Sequence, residues 1–216
     1  MNSTMKLMKL SQIKSSYTII VKENYTYNLF SRIFDIVFAL VLGIFTLPIV
    51  VLAVIFIKLE DQGPAFYSQE RLGKDGEIFL VYKLRSMRKD AEKFGIQWAE
   101  KNDPRITKVG RFIRLTRIDE IPQILNMFNG SMKLIGPRPE RPELTLQFNE
   151  ETPGFINRLA VKPGLTGWAQ VNGGYEISPA EKVELDVHYI KNRSLAMDIE
   201  IIFKTVKVVL TGEGAR

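Results

Sequence analysis

The chain has 216 residues, 45% of them hydrophobic, with 30 Lys+Arg against 24 Asp+Glu and a net charge of +6. That is enough for a domain with its own core, and too ordinary a composition for wholesale disorder. Cysteine is absent and His188 is the single histidine, which excludes disulfides, thiolate zinc sites and cysteine nucleophiles and argues against a Ser-His-Asp triad or a His-rich metal site. Chemistry therefore falls on carboxylates, with Lys and Arg as electrophilic partners, and the basic balance favours anionic partners.

Residues 1–27 form a polar, Lys-dotted tail with a short β-prone patch from Tyr17 to Val21. Ile36 to Ile57 then run for 22 residues without a charge. As a helix this run is about 33 Å long, enough for a hydrocarbon core of about 30 Å, so membrane association is expected. A signal peptide fits poorly, because the run begins late and lacks a small-residue cleavage site. Both flanks are basic, with residues 1–35 and 58–216 each carrying net +3. The positive-inside rule is thus satisfied with both ends on the cytoplasmic side. Pro48, near the middle, removes the bond its N–H would make to Ile44, and Thr46 can bond back to a carbonyl and deepen a bend. A helix–break–helix entering and leaving on one face, and a kinked single span, both remain open at this stage.

After the run, Ala65–Gln69 and Ile78–Lys83 are short, aromatic-rich and strand-like around a turn at Gly73-Lys74-Asp75-Gly76, which predicts a β-hairpin. Residues 87–101 are charged and helix-prone. From Arg105 to Arg117 basic residues recur every three positions (Arg105, Lys108, Arg111, Arg114, Arg117). A short helix from Gly110 onward, lying on an anionic membrane surface, is expected there; a solvated basic face is the alternative. Ser178-Pro179-Ala180-Glu181 carries an N-cap, a Pro at the first helical position and a capping-box Glu. Ile199, Ile202, Phe203, Val206, Val209 and Leu210 predict a last helix that packs on this apolar stripe. No repeat or low-complexity linker divides the chain.

Four segments carry chemistry. Asp119-Glu120 precede Pro122 and an apolar stretch ending at Asn129-Gly130, which predicts a helix with the two carboxylates at its N-terminus. Read alone, this is an ordinary acidic cap. In Gly136-Pro137-Arg138-Pro139-Glu140-Arg141-Pro142-Glu143 the prolines restrict Arg138 and Arg141, and a pre-organised Arg suits bidentate phosphate recognition. Lys162-Pro163-Gly164 reads as a type II turn leading into Leu165–Gly174, where glycines permit close backbone approach and Gln170 and Asn172 offer amide recognition. Tyr82-Lys83-Leu84-Arg85-Ser86-Met87 places Lys83 and Arg85 on one face of the second strand.

In order and spacing, Arg32-Ile33-Phe34-Asp35, Gly63-Pro64, YKLRSM, IDEIPQ, GPRPE and KPGLTGWAQVNG together resemble the bacterial sugar transferase family, the monotopic phosphoglycosyl transferases, over about residues 28–216. The resemblance implies transfer of a sugar-1-phosphate from a UDP-sugar to undecaprenyl phosphate, starting exopolysaccharide, capsule or glycoprotein glycan assembly. It implies that Asp119 is the nucleophile, forming an aspartyl phosphosugar with release of UMP, and a ligand of Mg²⁺, and that Arg138 binds phosphate. Glu120 belongs to the catalytic pair; Lys83, Arg85, Arg141, Gln170 and Asn172 are the further substrate-binding candidates. The family's hydrophobic segment is re-entrant, broken at a Ser-Pro pair, where this chain has Leu47-Pro48. The resemblance also implies a bacterial cytoplasmic membrane enzyme with its catalytic domain on the cytoplasmic face.

The resulting expectation is an α+β fold, predominantly helical, with an N-terminal re-entrant membrane helix (28–60) and a small cytoplasmic catalytic domain (61–216). That domain would carry a β-hairpin and amphipathic interfacial helices. Expected partners are a UDP-sugar, undecaprenyl phosphate and membrane lipids, with no nucleic acid. A non-catalytic basic adaptor for anionic lipid or nucleic acid is the competing reading, and it would not need Asp119 or Glu120.

Overall fold

The computed structural model describes residues 18–21, 23–93, 103–173 and 177–211. Helix α1, Tyr25–Glu60, begins where the Asn24 side chain accepts the Tyr27 N–H, and it contains the whole uncharged run. Its start lies three residues before the boundary expected from sequence, because the cap rather than the apolar run sets it. Tyr27, Ser31, Asp35 and Ala39 are buried at four-residue spacing, as are Ala53 and Ile57 further on. That spacing is one face of a helix, and it lies against the rest of the chain. Between the two buried sets, Ile44, Phe45 and Leu47 are exposed. Helical structure continues through Pro48, and the Thr46 hydroxyl donates to the Leu42 carbonyl at 2.7 Å.

Strands β1 (Phe66–Leu72) and β2 (Ile78–Leu84) form the expected antiparallel hairpin, with Phe66 opposite Leu84 and Leu72 opposite Ile78. Asp75 (φ 59°) and Gly76 (φ 77°) reverse the chain between them. Helix α2, Lys108–Leu115, starts two residues before Gly110, capped by the Thr107 side chain. The Glu60 carboxylate at the end of α1 accepts the Lys108 and Val109 N–H groups at 2.7 and 2.8 Å, so α1 and α2 are joined by an anion at a helix N-terminus.

A 3₁₀ segment, Ile118–Gln123, leads into α3, Ile124–Phe128. Strand β3 (Lys133–Ile135) pairs in parallel with β4 (Gly164–Thr166). The Pro-rich loop after β3 runs into α4, Pro142–Glu151, and a 3₁₀ turn, Phe155–Ala160, precedes β4. Helices α5 (Trp168–Asn172), α6 (Pro179–Asn192) and α7 (Leu195–Thr211) complete the chain. The capping box at Ser178 and Glu181 is formed as its sequence predicts.

Two of the hydrophobic clusters include α1. Ala39 packs with Ile124, Met127, Leu134, Ile135, Tyr189 and Ile201; Ala53 and Ile57 pack with Ala65, Leu84 and Ile113. A third joins Leu72, Ile156 and Leu159 beneath the hairpin turn. Polar ties reinforce the first. The Asp35 carboxylate accepts the Leu134 N–H at 2.8 Å, and Arg32 donates to the Met127 and Phe128 carbonyls at 2.6 and 2.9 Å. Arg158 and Asp186 form a buried pair at 2.6 Å.

Four sequence expectations are corrected. Gly164 does not occupy the positive-φ position that a type II turn requires; a Cβ there would lie 2.1 Å from the Gly136 nitrogen, so this glycine permits the close β3–β4 approach. On α7 most of the predicted packing stripe faces outward, with Phe203 72% and Leu210 81% exposed, while Met197 and Ile201 are buried and, of the stripe, Ile202 packs on the core. The core beside α7 is lined by Ala39 and Ile190, which select the side that carries Met197 and Ile201. Residues 87–93 form a bridge and turns instead of a helix, anchored by Met87 opposite Ile106; 94–101 lie outside the described residues, as does Tyr17 of the β-prone patch. Finally, Asp119-Glu120 sit in a 3₁₀ segment, not at an α-helix N-terminus, because Pro122 and Gln123 still belong to that tighter turn.

Removing one member of a buried ion pair strands the other charge. Asp186→Ala should therefore cost about 3–5 kcal/mol, read as a drop in the thermal unfolding midpoint, whereas Asp186→Asn, which keeps an acceptor for Arg158, should cost less.

Candidate functional site

The chain leaves α2 through Arg117, which adopts a left-handed conformation (φ 56°). A non-glycine residue held there stores strain, a common mark of functional sites. The reversal sends the next residues against β2 and the loop after β3. The two neighbouring carboxylates then meet different surroundings. Glu120 accepts from Lys83 Nζ at 2.8 Å and is forked by Arg138, through Nη1 at 3.4 Å and a closer contact from Nη2. Asp119 makes no side-chain hydrogen bond among the described residues, and it lines a cavity of about 1030 Å³ that Glu120 does not line.

Burial and neighbours split the acidity of the pair. Burial pushes Asp119 up to about 6; Glu120 adds to the rise, and Lys83, Arg114 and Arg138 oppose it. Burial would raise Glu120 as well, but Arg138 and Lys83 outweigh it and hold Glu120 well below the usual carboxylate range. One carboxylate is therefore locked as an anion by direct pairing. The other is buried, unpaired and open to the cavity.

The rest of the wall is strongly basic. Lys83, Arg85, Arg138 and Arg141 all line the cavity, and so do Gln170 and Asn172. Arg85 is buried; its Nη2 donates to the Asp61 carbonyl, while its buried Nη1 has no hydrogen-bond partner. That Nη1 lies over Gly63, where a Cβ would collide with it, so the glycine makes room for the guanidinium. Arg141 is held by Glu92 at 2.6 Å, so it is less available than its Pro-flanked sequence implies. Gln170 donates to the Leu165 carbonyl at 3.0 Å, leaving its buried Oε1 without a donor. Asn172 bonds Trp168 and Lys204, which makes it mainly a structural bridge between α5 and α7. His188 stacks on Trp168 and lies outside the cavity wall.

Sequence reasoning missed many of the lining residues, among them Arg71, Arg114, Arg117, Glu140 and Lys182. Arg114 and Arg117 stand in the basic run read as a membrane or solvent face. Their separation from Asp119 by only five and two positions was the available signal. Glu140 is gripped by Lys182 and Arg71. Burial would raise it, but Lys182, Arg158 and Arg71 hold it at about 2. Its position between two prolines hid a network that forms only across distant segments.

No group of three or more metal-liganding side chains occurs among the described residues. Mg²⁺ commonly uses one or two carboxylates and completes its shell with water and substrate phosphates. The unpaired Asp119 carboxylate, facing a cavity large enough for a diphosphate, fits that mode.

The family model for bacterial sugar transferase matches residues 26–212. The chain is 46% identical over 172 residues to the UDP-N-acetylgalactosamine-undecaprenyl-phosphate N-acetylgalactosaminephosphotransferase of Aeromonas hydrophila, covering 78% of this chain and 41% of that protein. It is 56% identical over 128 residues to the putative undecaprenyl-phosphate N-acetylgalactosaminyl 1-phosphate transferase of Bacillus subtilis, covering 59% of this chain and 72% of that protein. With the UDP-glucose:undecaprenyl-phosphate glucose-1-phosphate transferase of Escherichia coli it shares 40% identity over 183 residues, 82% of this chain and 39% of that protein. The chain thus spans about two fifths of the length of the Aeromonas and Escherichia relatives.

A carboxyl whose acidity is weakened on folding binds its proton more tightly in the folded state, so stability falls as pH rises from about 4 through 6. Asp119→Asn removes that cost. The variant should match the unsubstituted protein below pH 4 and exceed its stability above pH 6 by about 1–3 kcal/mol, measured as unfolding midpoints across pH.

Proposed function

The chain belongs to the bacterial sugar transferase family, and from that membership we propose that it transfers a sugar-1-phosphate from a UDP-sugar to undecaprenyl phosphate. The observation that carries this reading is the unpaired Asp119 carboxylate at the wall of a cavity otherwise rich in Lys and Arg. A carboxylate needs no histidine to be nucleophilic near neutral pH. Asp119 attacks the β-phosphorus of the donor; the bond from that phosphorus to the bridging oxygen breaks, and UMP leaves with the electron pair. The resulting acyl phosphate carries the sugar. An oxygen of undecaprenyl phosphate then attacks the same phosphorus, giving undecaprenyl diphosphate-sugar and restoring the Asp119 carboxylate.

The difficulty is an anion approaching a diphosphate. Lys83, Arg85, Arg114 and Arg138 line the approach and offset that repulsion and the charge on the departing UMP. Mg²⁺, held by Asp119 and the donor's phosphate oxygens, would supply further charge neutralisation. Glu120 stays on the far side of Lys83 and Arg138, where its fixed charge aligns both cations.

Helix α1 supports placement on one face of the bacterial cytoplasmic membrane, with the catalytic domain in the cytoplasm. Both halves of the helix pack on the same body. Between Ala39 and Ala53 only about 20 Å of helix is free of buried residues, short of a hydrocarbon core of about 30 Å. The exposed apolar middle around Phe45 can enter one leaflet while both ends remain with the domain. That arrangement favours a re-entrant anchor over a span, with Pro48 and Thr46 at its middle.

Detergent-solubilised protein given UDP-sugars, Mg²⁺ and undecaprenyl phosphate should release UMP. Release of UDP instead would mark a direct glycosyl transferase. Intact mass spectrometry should detect a phosphosugar adduct that disappears in Asp119→Asn; an adduct that persists removes Asp119 as nucleophile. The acid limb of kcat/KM is expected near pH 6, where Asp119 loses its proton. Glu120→Gln deletes a negative neighbour and frees two cations, so the limb should move to lower pH as the rate falls. A limb that stays near pH 6 in Glu120→Gln would remove Glu120 as a group that sets the acidity of Asp119.

A further inference from the structure

A second cavity, of about 320 Å³, opens beside the start of α1, away from Asp119. Its wall carries five basic residues (Arg32, Lys74, Lys133, Lys162 and Arg193) against two acidic ones, Glu23 and Asp35. Asp35 is spent in part on the Leu134 N–H, and Lys133 sits over the Tyr27 ring at 5.0 Å. Among the described residues, none of Arg32, Lys74 and Lys162 has a carboxylate within ion-pair distance. Arg32 and Lys162 converge: Arg32 Nη2 and Lys162 Nζ lie 3.5 and 3.6 Å from the point a Gly130 Cβ would occupy. Both are aimed by backbone carbonyls at the end of α3, Lys162 by that of Gly130 at 2.6 Å and Arg32 by those of Met127 and Phe128. Carbonyls orient such donors without neutralising them.

The geometry points to a phospholipid site: the cavity binds the phosphate of an anionic phospholipid headgroup, between Arg32, Lys74 and Lys162. Two features select a lipid over a dissolved anion. Arg32 precedes the uncharged run by four residues, about 6 Å along the helix, so the cavity opens at headgroup depth when that run lies in hydrocarbon. The excess of positive charge favours a headgroup with net negative charge over a zwitterionic one, as in basic pockets at the cytoplasmic ends of membrane helices. The site would fix the depth and rotation of α1, and through Arg32 the end of α3, without touching the donor cavity. This inference rests on the membrane placement argued above.

The test places the full chain in nanodiscs of equal phosphatidylglycerol and phosphatidylcholine, transfers it to detergent, and counts retained lipid by native mass spectrometry. Phosphatidylglycerol should be retained about tenfold over phosphatidylcholine. Lys74→Gln, at a side chain with no hydrogen bond or ion pair among the described residues, should cut that preference severalfold; Lys74→Gln with Lys162→Gln should erase it; the two Lys→Arg exchanges should keep it. Equal retention of both lipids by the unsubstituted chain, or an undiminished preference in the double Gln variant, overturns the site while leaving the membrane reading intact. Release of the lipid by millimolar inorganic phosphate would assign the cavity to a free anion and overturn the lipid. Failure to enter the discs at all would overturn the membrane placement and this inference with it.

Discussion

The clamp on Glu120 is the contact on which the site's chemistry depends. Lys83 comes from the hairpin, Arg138 from the loop after β3, and Glu120 from the 3₁₀ segment between them. Three parts of the chain, 37 and 18 residues apart in sequence, are thereby brought to one point. Because Glu120 absorbs the two cations directly, Asp119 is left beside positive charge without being neutralised by it. A pair of identical carboxylates would compete for the same partners. The asymmetry gives one acid a structural duty and leaves the other chemically available, which is how adjacent acids acquire different roles elsewhere in enzymology.

Around that centre, α1 is part of the folded body as much as an appendage to it. Ala39 and Ile57 belong to two separate cores, and Arg32, Asp35 and Glu60 each tie α1 to a different element: α3, β3 and α2. Movement of the helix in a bilayer is consequently coupled to the segment that holds Asp119, since α3 follows that segment directly. The acceptor is a lipid phosphate in the proposed reaction, so a catalytic carboxylate registered to the membrane helix is what the chemistry requires.

Local signals were the legible part of this sequence. The hairpin was readable from its turn and alternating strands, α6 from Ser178 and Glu181, and the membrane helix from an unbroken uncharged run. Most of the candidate site was visible too, because Pro-flanked Arg138 and the Asp119-Glu120 pair are dense motifs. What could not be read were relations between segments. Whether Gly164 turns the chain or admits Gly136 depends on a segment 28 positions away in sequence. Which side of α7 packs depends on Ala39 and Ile190, because periodicity alone presents two comparable apolar faces. Arg114 and Arg117 follow a regular spacing that resembles a surface stripe, whereas in the fold the Ser86 hydroxyl holds Arg114, Arg117 takes the left-handed turn, and both line the cavity.

The double use of α1 also bears on how the molecule can be divided. A helix that served only as an anchor could be cut away to leave a water-soluble catalytic fragment. Here excision would uncover Ile124 and Met127 on one side and Leu84 and Ile113 on the other, while α7 would still present Phe203 and Leu210 to water. The helix and the body it packs on share both of these clusters, so a fragment cut before Asp61 would lose part of each core.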